Sequence, residues 1–579
     1  SATLFCSAIY PTKKKERKKE RLDEEGVPLG LGDEEGLNGW EAIDRLGGWQ
    51  CYLCNVTMSV DIPREFHASW AEAFSEVLSR LHAALSLPDV EVLDRAIKWV
   101  LILHQLLLRT DDGRHGRRLE AAMRRRFALS SDGLGDTSLP LIVAQLRRKH
   151  PQTRRDWAPP GPGMPRLVLP SARDILKDLR RRAGVGADRF RNEYLLRLVR
   201  GEMPEHVREQ ALTSFEEFAD HVVNGDLPDW FYHVYTTVVL FAPIKTRGPS
   251  EDEHDCRPVG CGEVKRRAIA RMVKAKVHPV AQRLCEPVQL GQGTRAGTQC
   301  MGVQLKIHSE VHPEHVMYKF DIENAFNSVE RASIMAAVHR DYRELAWYME
   351  SELRPRSRIF CLSKGRLQQQ DFRSVNGGQQ GSLSAGLGFN LAVLPYFRDV
   401  DVEVAPHGGT ARAICDDLIV AAPPDVVYPV IERLMVTLQR ETGLLANRSK
   451  ASVHSPSGNL GAVPAGVQVG ELRRRVTRDG REEEAMGLGI IAAGVPIGDD
   501  VFVTNHVAAK VDEVSGEIEQ NHTLLRGVNA IDHALQVLRL SDAHRLDYLT
   551  QVTSPLIAGV RAEWQRYDRV LHRIHTLDL

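Results

Sequence analysis

A mixed α+β fold is predicted for this chain, with helices gathered towards its two ends and short strands in its middle. Three observations carry that expectation. Apolar residues recur at three- and four-residue spacing in "WAEAFSEVLSRLHAAL" and "VLDRAIKWVLILHQLLL", within residues 65–150, which is the period of helices that bury one face. The same period returns at 507–540. Between about 172 and 500, short apolar runs and helical stretches alternate irregularly, and no repeat of fixed period is present.

With 579 residues, the chain has room for roughly three to five domains or subdomains. Its 43% apolar and 26% charged residues are ordinary for globular proteins and exclude wholesale disorder. The 76 basic and 76 acidic side chains cancel, so no overall basic field points to a polyanionic partner. Local charge does: "KKKERKKER" at 13–21 holds seven Lys or Arg, and 257–276 holds seven against the single Glu263. Each run reads either as a solvated face or as a phosphate-contacting one. Nine cysteines at irregular spacing do not form a disulfide framework and fit a reducing compartment. The longest apolar stretch, 96–108, is interrupted by Lys98 and His104 and is too short to span a bilayer, so it reads as a buried helix. The first residue is Ser, which fits a fragment or a processed chain.

Along the chain, 1–48 reads as a basic, disordered tail and 49–155 as a helical N-terminal extension. Five prolines in "APPGPGMPRLVLP" forbid a helix there and mark 156–171 as a linker. Ser171, with Asp174 three residues on, offers a cap from which a helix restarts into "ILKDLRRR". Residues 172–500 hold the alternating strands and helices, and 501–579 form a helical appendage that ends, complete or truncated, at Leu579.

Chemistry concentrates at two places. In "VMYKFDIENAFNSVERASIMAAV" an apolar strand ends at Asp321, and a helix start is marked by Asn327 with Glu330 three residues later. About 95 residues on, Asp416-Asp417 sits between Ala413-Ile414-Cys415 and Leu418-Ile419-Val420, the pattern of a hairpin with carboxylates at its tip. Carboxylates on neighbouring strands are what a pair of Mg²⁺ ions roughly 3.5–4 Å apart would require for nucleotidyl transfer. By itself an Asp-Asp pair also reads as a solvated turn.

Five segments in order, "DIENAFNSV" (321–329), "GGQQGSLSAGLGFNL" (377–391), "ICDDLIVA" (414–421), "GLLANRSKASV" (443–453) and "GVPIGDD" (494–500), resemble successive palm and palm–thumb motifs of reverse transcriptases. Upstream, "AGVGADRFRNEYL", "FAPIKT", "RPVGCGEVKRRAIARMV" and "QLGQGTRAGTQC" are similar to the fingers region of non-LTR, LINE-like retrotransposons. The resemblance covers about 172–579, and the helical stretch before it is similar to that group's N-terminal extension. It implies a right-hand polymerase: fingers and an antiparallel palm sheet over 172–500, then a helical thumb or connection. It further implies an RNA-directed DNA polymerase acting on an RNA template, a DNA primer or target DNA and deoxynucleoside triphosphates, at a nuclear site. The implied cofactor is Mg²⁺, as two ions, with Mn²⁺ as a substitute. Asp321, Asp416 and Asp417 would be catalytic and metal-binding, with the backbone carbonyl of Ile322 completing a metal shell. Lys245, Arg257, Phe326, Gln380, Gly381 and Lys450 would contact the nucleotide. Arg257 suits bidentate phosphate recognition, Gly381 allows close backbone approach, and Lys450 would face the leaving group. Phe326 matches the aromatic gate against a 2′-hydroxyl, the other reading of that ring being a plain core aromatic.

One departure stands out: the family has an aromatic two residues before the paired aspartates, and this chain has Ile414. No endonuclease motif is visible in it. Cys51 and Cys54, with His67 beyond, resemble the start of a zinc finger, but a fourth ligand is missing at the expected spacing, so two half-buried thiols are the preferred reading over zinc. Two competing readings remain, a catalytically inert, domesticated nucleic-acid-binding relative and an RNA-templated RNA polymerase. The intact aspartates weigh against the first and Phe326 against the second.

Overall fold

The computed structural model describes residues 58–108, 134–152, 155–363, 366–470, 473–476, 482–528 and 530–578. The 1–48 segment with its 13–21 basic run, and the Cys51/Cys54 pair, lie outside the described residues. The chain divides into two compact units, one of residues 1–278 and 326–389, the other of 279–325 and 390–579.

The first unit begins with the helices His67–Leu85 and Val90–Leu107. Trp70, Phe74, Leu78 and Leu81 recur on the buried face of the first, as its apolar spacing requires. Asp89 caps the second by accepting from the amides of Glu91 and Val92. Trp70 stacks on Phe74 (centroids 5.4 Å apart) and tilts against Phe190 and Tyr194, and its indole Nε1–H donates to the Tyr194 carbonyl. Such aromatic pairs contribute about 0.5–1.5 kcal/mol each beyond their buried area.

A four-stranded sheet follows, built from β1 (Val238–Phe241), β4 (Val259–Gly262), β6 (Ser357–Ser363) and β7 (Arg366–Ser374) in the order β4-β1-β6-β7. The hairpin of β2 (Ile244–Thr246) and β3 (Asp255–Cys256) stands apart from it. Val238 and Leu240 pack on one face with Ile142 and Leu146 of the helix Pro140–Arg148, while Val239 and Phe241 pack on the other with Val185 and Phe360. Because both faces are covered, the strand reads as a continuous apolar run rather than an alternating one.

Three sequence expectations change here. The Pro-rich stretch carries no helix, yet it is fastened down: the Trp157 indole donates to Glu350, the Arg354 guanidinium lies 4.3 Å over its ring, and the Leu167 amide donates to Asn224. Ser171 does cap a helix, accepting from the Arg173 amide, but that helix stops at Leu176. The basic run 257–276 is also less exposed than its charge suggests. Lys265 is wholly buried between Glu263 and Asp188, 4.2 Å over the Phe190 ring, and Arg266 is buried in a two-pronged pair with Glu352.

The second unit is organised on a five-stranded sheet of β5 (Val316–Phe320), β8 (Thr410–Ile414), β9 (Asp417–Ala422), β10 (Ser452–His454) and β11 (Gln468–Val469), in the order β11-β10-β5-β9-β8. The central strand β5 pairs antiparallel with both neighbours. Met317, Ile419 and Ala421 share a core with Leu290, Met301 and Leu305. The unit closes with the helices Asp500–Gly527, Ile531–Leu540, Asp547–Val552 and Ala558–Asp578, packed through Val507, Val511 and Ile518 against Leu549, Val560 and Ile574. No helix among the described residues is long and apolar enough to cross a membrane.

Candidate active site

The ladder between β5 and β9 runs from Val316 opposite Ala422 to Phe320 opposite Leu418. Carried one residue further, that register sets Asp321 opposite Asp417, where Cα atoms across an antiparallel pair stand about 4.5–5.5 Å apart. Side chains alternate along a strand, so Lys319, Asp321 and Asp417 emerge on one face. Burial raises Asp417 above the usual carboxylate range, Lys319 opposes that rise, and the charge of Asp321 adds to it. Ile414 pairs with Asp417, which leaves Cys415 and Asp416 as a two-residue turn at the hairpin tip.

Past Asp321 the chain is stitched to the loop after the helix Pro424–Thr442. The Asn447 amide donates to the Asp321 carbonyl (2.9 Å) and the Glu323 amide to the Leu445 carbonyl (2.8 Å), flanking a bridge between Ile322 and Ala446. Both bonds use the flanking residues' groups, so the Ile322 carbonyl takes no part in them. Two facing carboxylates, a third at the adjoining turn and a backbone carbonyl make a hard-oxygen donor set, which fits Mg²⁺. The same loop continues into the 3₁₀ turn Arg448–Lys450, where Lys450 is exposed.

Residues 246–486 match the family model described as "Reverse transcriptase (RNA-dependent DNA polymerase)". The chain carries a reverse transcriptase domain. That domain makes it an RNA-directed DNA polymerase, a nucleotidyltransferase, and implies a right-hand fold, a divalent metal, an RNA template, a DNA primer and deoxynucleotides. The matched span holds every candidate site residue except Lys245, one position before it. No curated protein matches the chain significantly.

The remaining candidates of the reverse transcriptase domain belong to the first unit. Lys245 lies in β2, and Arg257 follows β3 on the paired strand, its amide donating to the Pro243 carbonyl; both side chains are exposed. Two residues on, β4 begins, and Gln380 runs beside it: the Gly260 amide donates to the Gln380 carbonyl at 2.8 Å. Gly381 follows at φ 101°, and a Cβ there would stand 2.8 Å from the Gly260 carbonyl oxygen, so only glycine fits. Phe326 is half-buried, its ring 5.0 Å from that of Phe389, and its carbonyl accepts from the Gly378 amide. Backbone bonds thus connect β4, which begins two residues after Arg257, to Gln380, and Phe326 to the Gly-rich loop.

The helix after Asp321 differs from the expected one. Asn327 does not start it; a short turn, Ala325–Ser328, is followed by a separate helix, Arg331–Asp341, preceded by Glu330. The reason is Arg331, buried against the loop. Its guanidinium donates to the carbonyls of Gly377, Leu353, Pro355 and Ser374 and to the Ser374 hydroxyl, and its amide donates to the Asn376 side chain. These bonds hold Gly377-Gly378 in place, and no short-range pattern in the sequence announces them.

A second residue missed by sequence reasoning is Gln289. It is fully buried, accepts from the Cys415 and Gly291 amides (2.8 and 3.0 Å), and donates to the Cys415 carbonyl (2.9 Å). Cys415 sits at φ 54°, which costs a non-glycine residue about 1–2 kcal/mol, and Gln289 clamps the peptide groups on either side. Gly291 completes the fit, since a Cβ there would lie 2.8 Å from the Cys415 amide nitrogen. The only sequence signal is a Gln and a Gly within "QLGQG".

Proposed function

We propose that this chain is the polymerase region of a non-LTR retrotransposon, extending a DNA primer on an RNA template by two-metal nucleotidyl transfer. The observation that carries this reading is the β5–β9 register, which sets Asp321 opposite Asp417 beside the turn that holds Asp416. In this reading Asp321, Asp416, Asp417 and the Ile322 carbonyl hold Mg²⁺. When bound, the ions would lower the cost of the charge that develops on attacking and leaving oxygens. The protein's own groups supply placement. Gln289 fixes the turn that carries Asp416, Arg257 and Lys245 offer cations to a triphosphate, and Lys450 offers a cation or proton to the leaving group. The backbone of Gln380-Gly381 gives a smooth wall beside base and sugar, and the ring of Phe326 excludes a 2′-hydroxyl. Action in the nucleus follows from the retrotransposon reading.

The test is primer extension with Mg²⁺ on an RNA template, offered deoxynucleotides or ribonucleotides alone. Extension by deoxynucleotides only is expected. Extension by ribonucleotides only would replace this reading with an RNA polymerase, and binding without extension by either would replace it with a nucleic-acid-binding protein.

A further inference from the structure

At the opposite end of β5 from Asp321, three groups that can hold a metal gather in "HSEVHPEH", His312, Glu314 and His315, with His308 beside them. His315 lies six positions before Asp321, so along an extended strand the two are about 20 Å apart. The cluster is therefore separate from the catalytic carboxylates.

Its geometry is specific. Glu314 Oε1 lies 3.5 Å from His312 Nδ1 and 3.4 Å from His315 Nε2, and donor atoms of the three residues all fall within 4.8 Å of one another. A tetrahedral ion with bonds of about 2.0–2.1 Å to nitrogen and oxygen has ligand-to-ligand edges of roughly 3.3–3.4 Å. The two observed spacings match those edges within a tenth or two of an ångström. The rings of His312 and His315 are stacked, 4.6 Å apart and 12° from parallel. His308 Nε2 stands 3.1 Å from His315 Nδ1, the ring nitrogen turned away from Glu314. That is where a metal-ligating histidine finds the partner that fixes its tautomer.

The backbone around the cluster is held from both sides. The His312 amide closes the helix Gly297–Val311 onto the His308 carbonyl, and the His315 amide donates back to the His312 carbonyl. Between them the Pro313 carbonyl accepts from the Ser457 amide and the Ser455 hydroxyl. Gly408 at φ 71° leaves room beside the rings, where a Cβ would come within 3.3 Å of His312 Cε1.

We propose that His312 Nδ1, Glu314 and His315 Nε2 form a second metal site, for a divalent ion of borderline softness such as Zn²⁺, with a water in the fourth position and His308 orienting His315. Two imidazoles and one carboxylate suit zinc better than Mg²⁺, which demands six oxygens. Such an ion would tie the end of the helix Gly297–Val311 to the start of β5, at the far end of the strand that carries Asp321.

The test counts zinc per chain, by elemental analysis of the full chain after exposure to Zn²⁺ and dialysis against metal-free buffer. His312→Gln and Glu314→Gln are the informative variants, because both side chains are partly exposed and their loss leaves the core intact. Cys51→Ser/Cys54→Ser serves as a control for zinc held elsewhere, and Asp416→Ala/Asp417→Ala as a control for the catalytic carboxylates. We expect each of the first two variants to hold one zinc fewer than the parent, and Asp416→Ala/Asp417→Ala to hold as many. Co²⁺ in place of Zn²⁺ should give the visible absorption of a tetrahedral site, lost in His312→Gln. His308→Phe should keep the site but weaken it about 10- to 100-fold. Equal zinc content in the parent, His312→Gln and Glu314→Gln would overturn the proposal and leave the cluster as packed imidazoles.

Discussion

Replacing Gln289 with Leu removes a side chain that bonds both the amide and the carbonyl of Cys415 while keeping the volume of a buried group. Three hydrogen bonds disappear, at about 1 kcal/mol each, and the Cys415 donor and acceptor are left facing an apolar group, so the turn loses roughly 2–4 kcal/mol of support. That turn already carries a non-glycine residue at φ 54°. Without the clamp it relaxes, and Asp416 leaves its place beside the Asp321–Asp417 pair. A loss of 1.4 kcal/mol in transition-state stabilisation is tenfold in rate, and an ångström of misplacement costs on the order of 100-fold. We therefore predict that Gln289→Leu slows single-nucleotide extension about 10- to 100-fold in kcat, with primer–template affinity unchanged. Adding Cys415→Gly, which removes the strain the clamp opposes, should restore part of the rate. The assay is rapid-quench extension of a labelled primer on an RNA template at saturating deoxynucleotide. Wild-type kcat in Gln289→Leu would refute the reasoning, as would a loss confined to primer–template binding.

Three further outcomes are expected. Phe326→Ala should raise ribonucleotide incorporation relative to deoxynucleotide by at least about tenfold, read from single-turnover kcat/KM ratios; an unchanged ratio would make the ring a core aromatic packed on Phe389. Arg266→Met should cost about 3–5 kcal/mol in denaturant unfolding because it strands the buried Glu352 carboxylate, whereas Arg266→Met with Glu352→Leu should cost much less; equal losses would mean the pair is not felt as a pair. His104 is wholly buried, its Nε2 bonded to the Asp188 carbonyl, and burial lowers it from 6.5 to about 4. The folded protein therefore binds fewer protons than the unfolded chain in that interval, so this contribution is complete above pH 6.5 and is lost as pH falls towards 4, on the order of 3 kcal/mol in all. His104→Gln should flatten the acid side of the stability curve, measured by unfolding between pH 7 and 4, and a curve parallel to wild type would refute it.

Legibility in the sequence followed the range of the interactions. Helices such as His67–Leu85 were readable because burial imposes a local period, and the β8–β9 hairpin because apolar runs flank a polar pair. The placement of Asp321 opposite Asp417 was not readable from spacing, since β5 and β9 are almost a hundred residues apart and their register is set by the core they share. Arg331 and Gln289 were invisible for a related reason. Each is a polar residue buried by partners distant in sequence, 22 to 46 residues away for the Arg331 guanidinium and 126 for the Gln289–Cys415 bond. The same cause misled the reading of the 257–276 run, where Lys265 and Arg266 look like solvent-facing cations until Asp188 and Glu352 are brought to them.

The central claim is that the carboxylates at the junction of β5 and β9 perform RNA-templated DNA synthesis, and it is tested most directly by comparing the chain with its Asp416→Ala/Asp417→Ala variant in primer extension with Mg²⁺. Both proteins should bind the primer–template equally well, and only the parent should extend it, with the variant down by at least about 1,000-fold. Extension by the variant at a rate near the parent's, or no extension by either protein despite equal binding, would contradict the account.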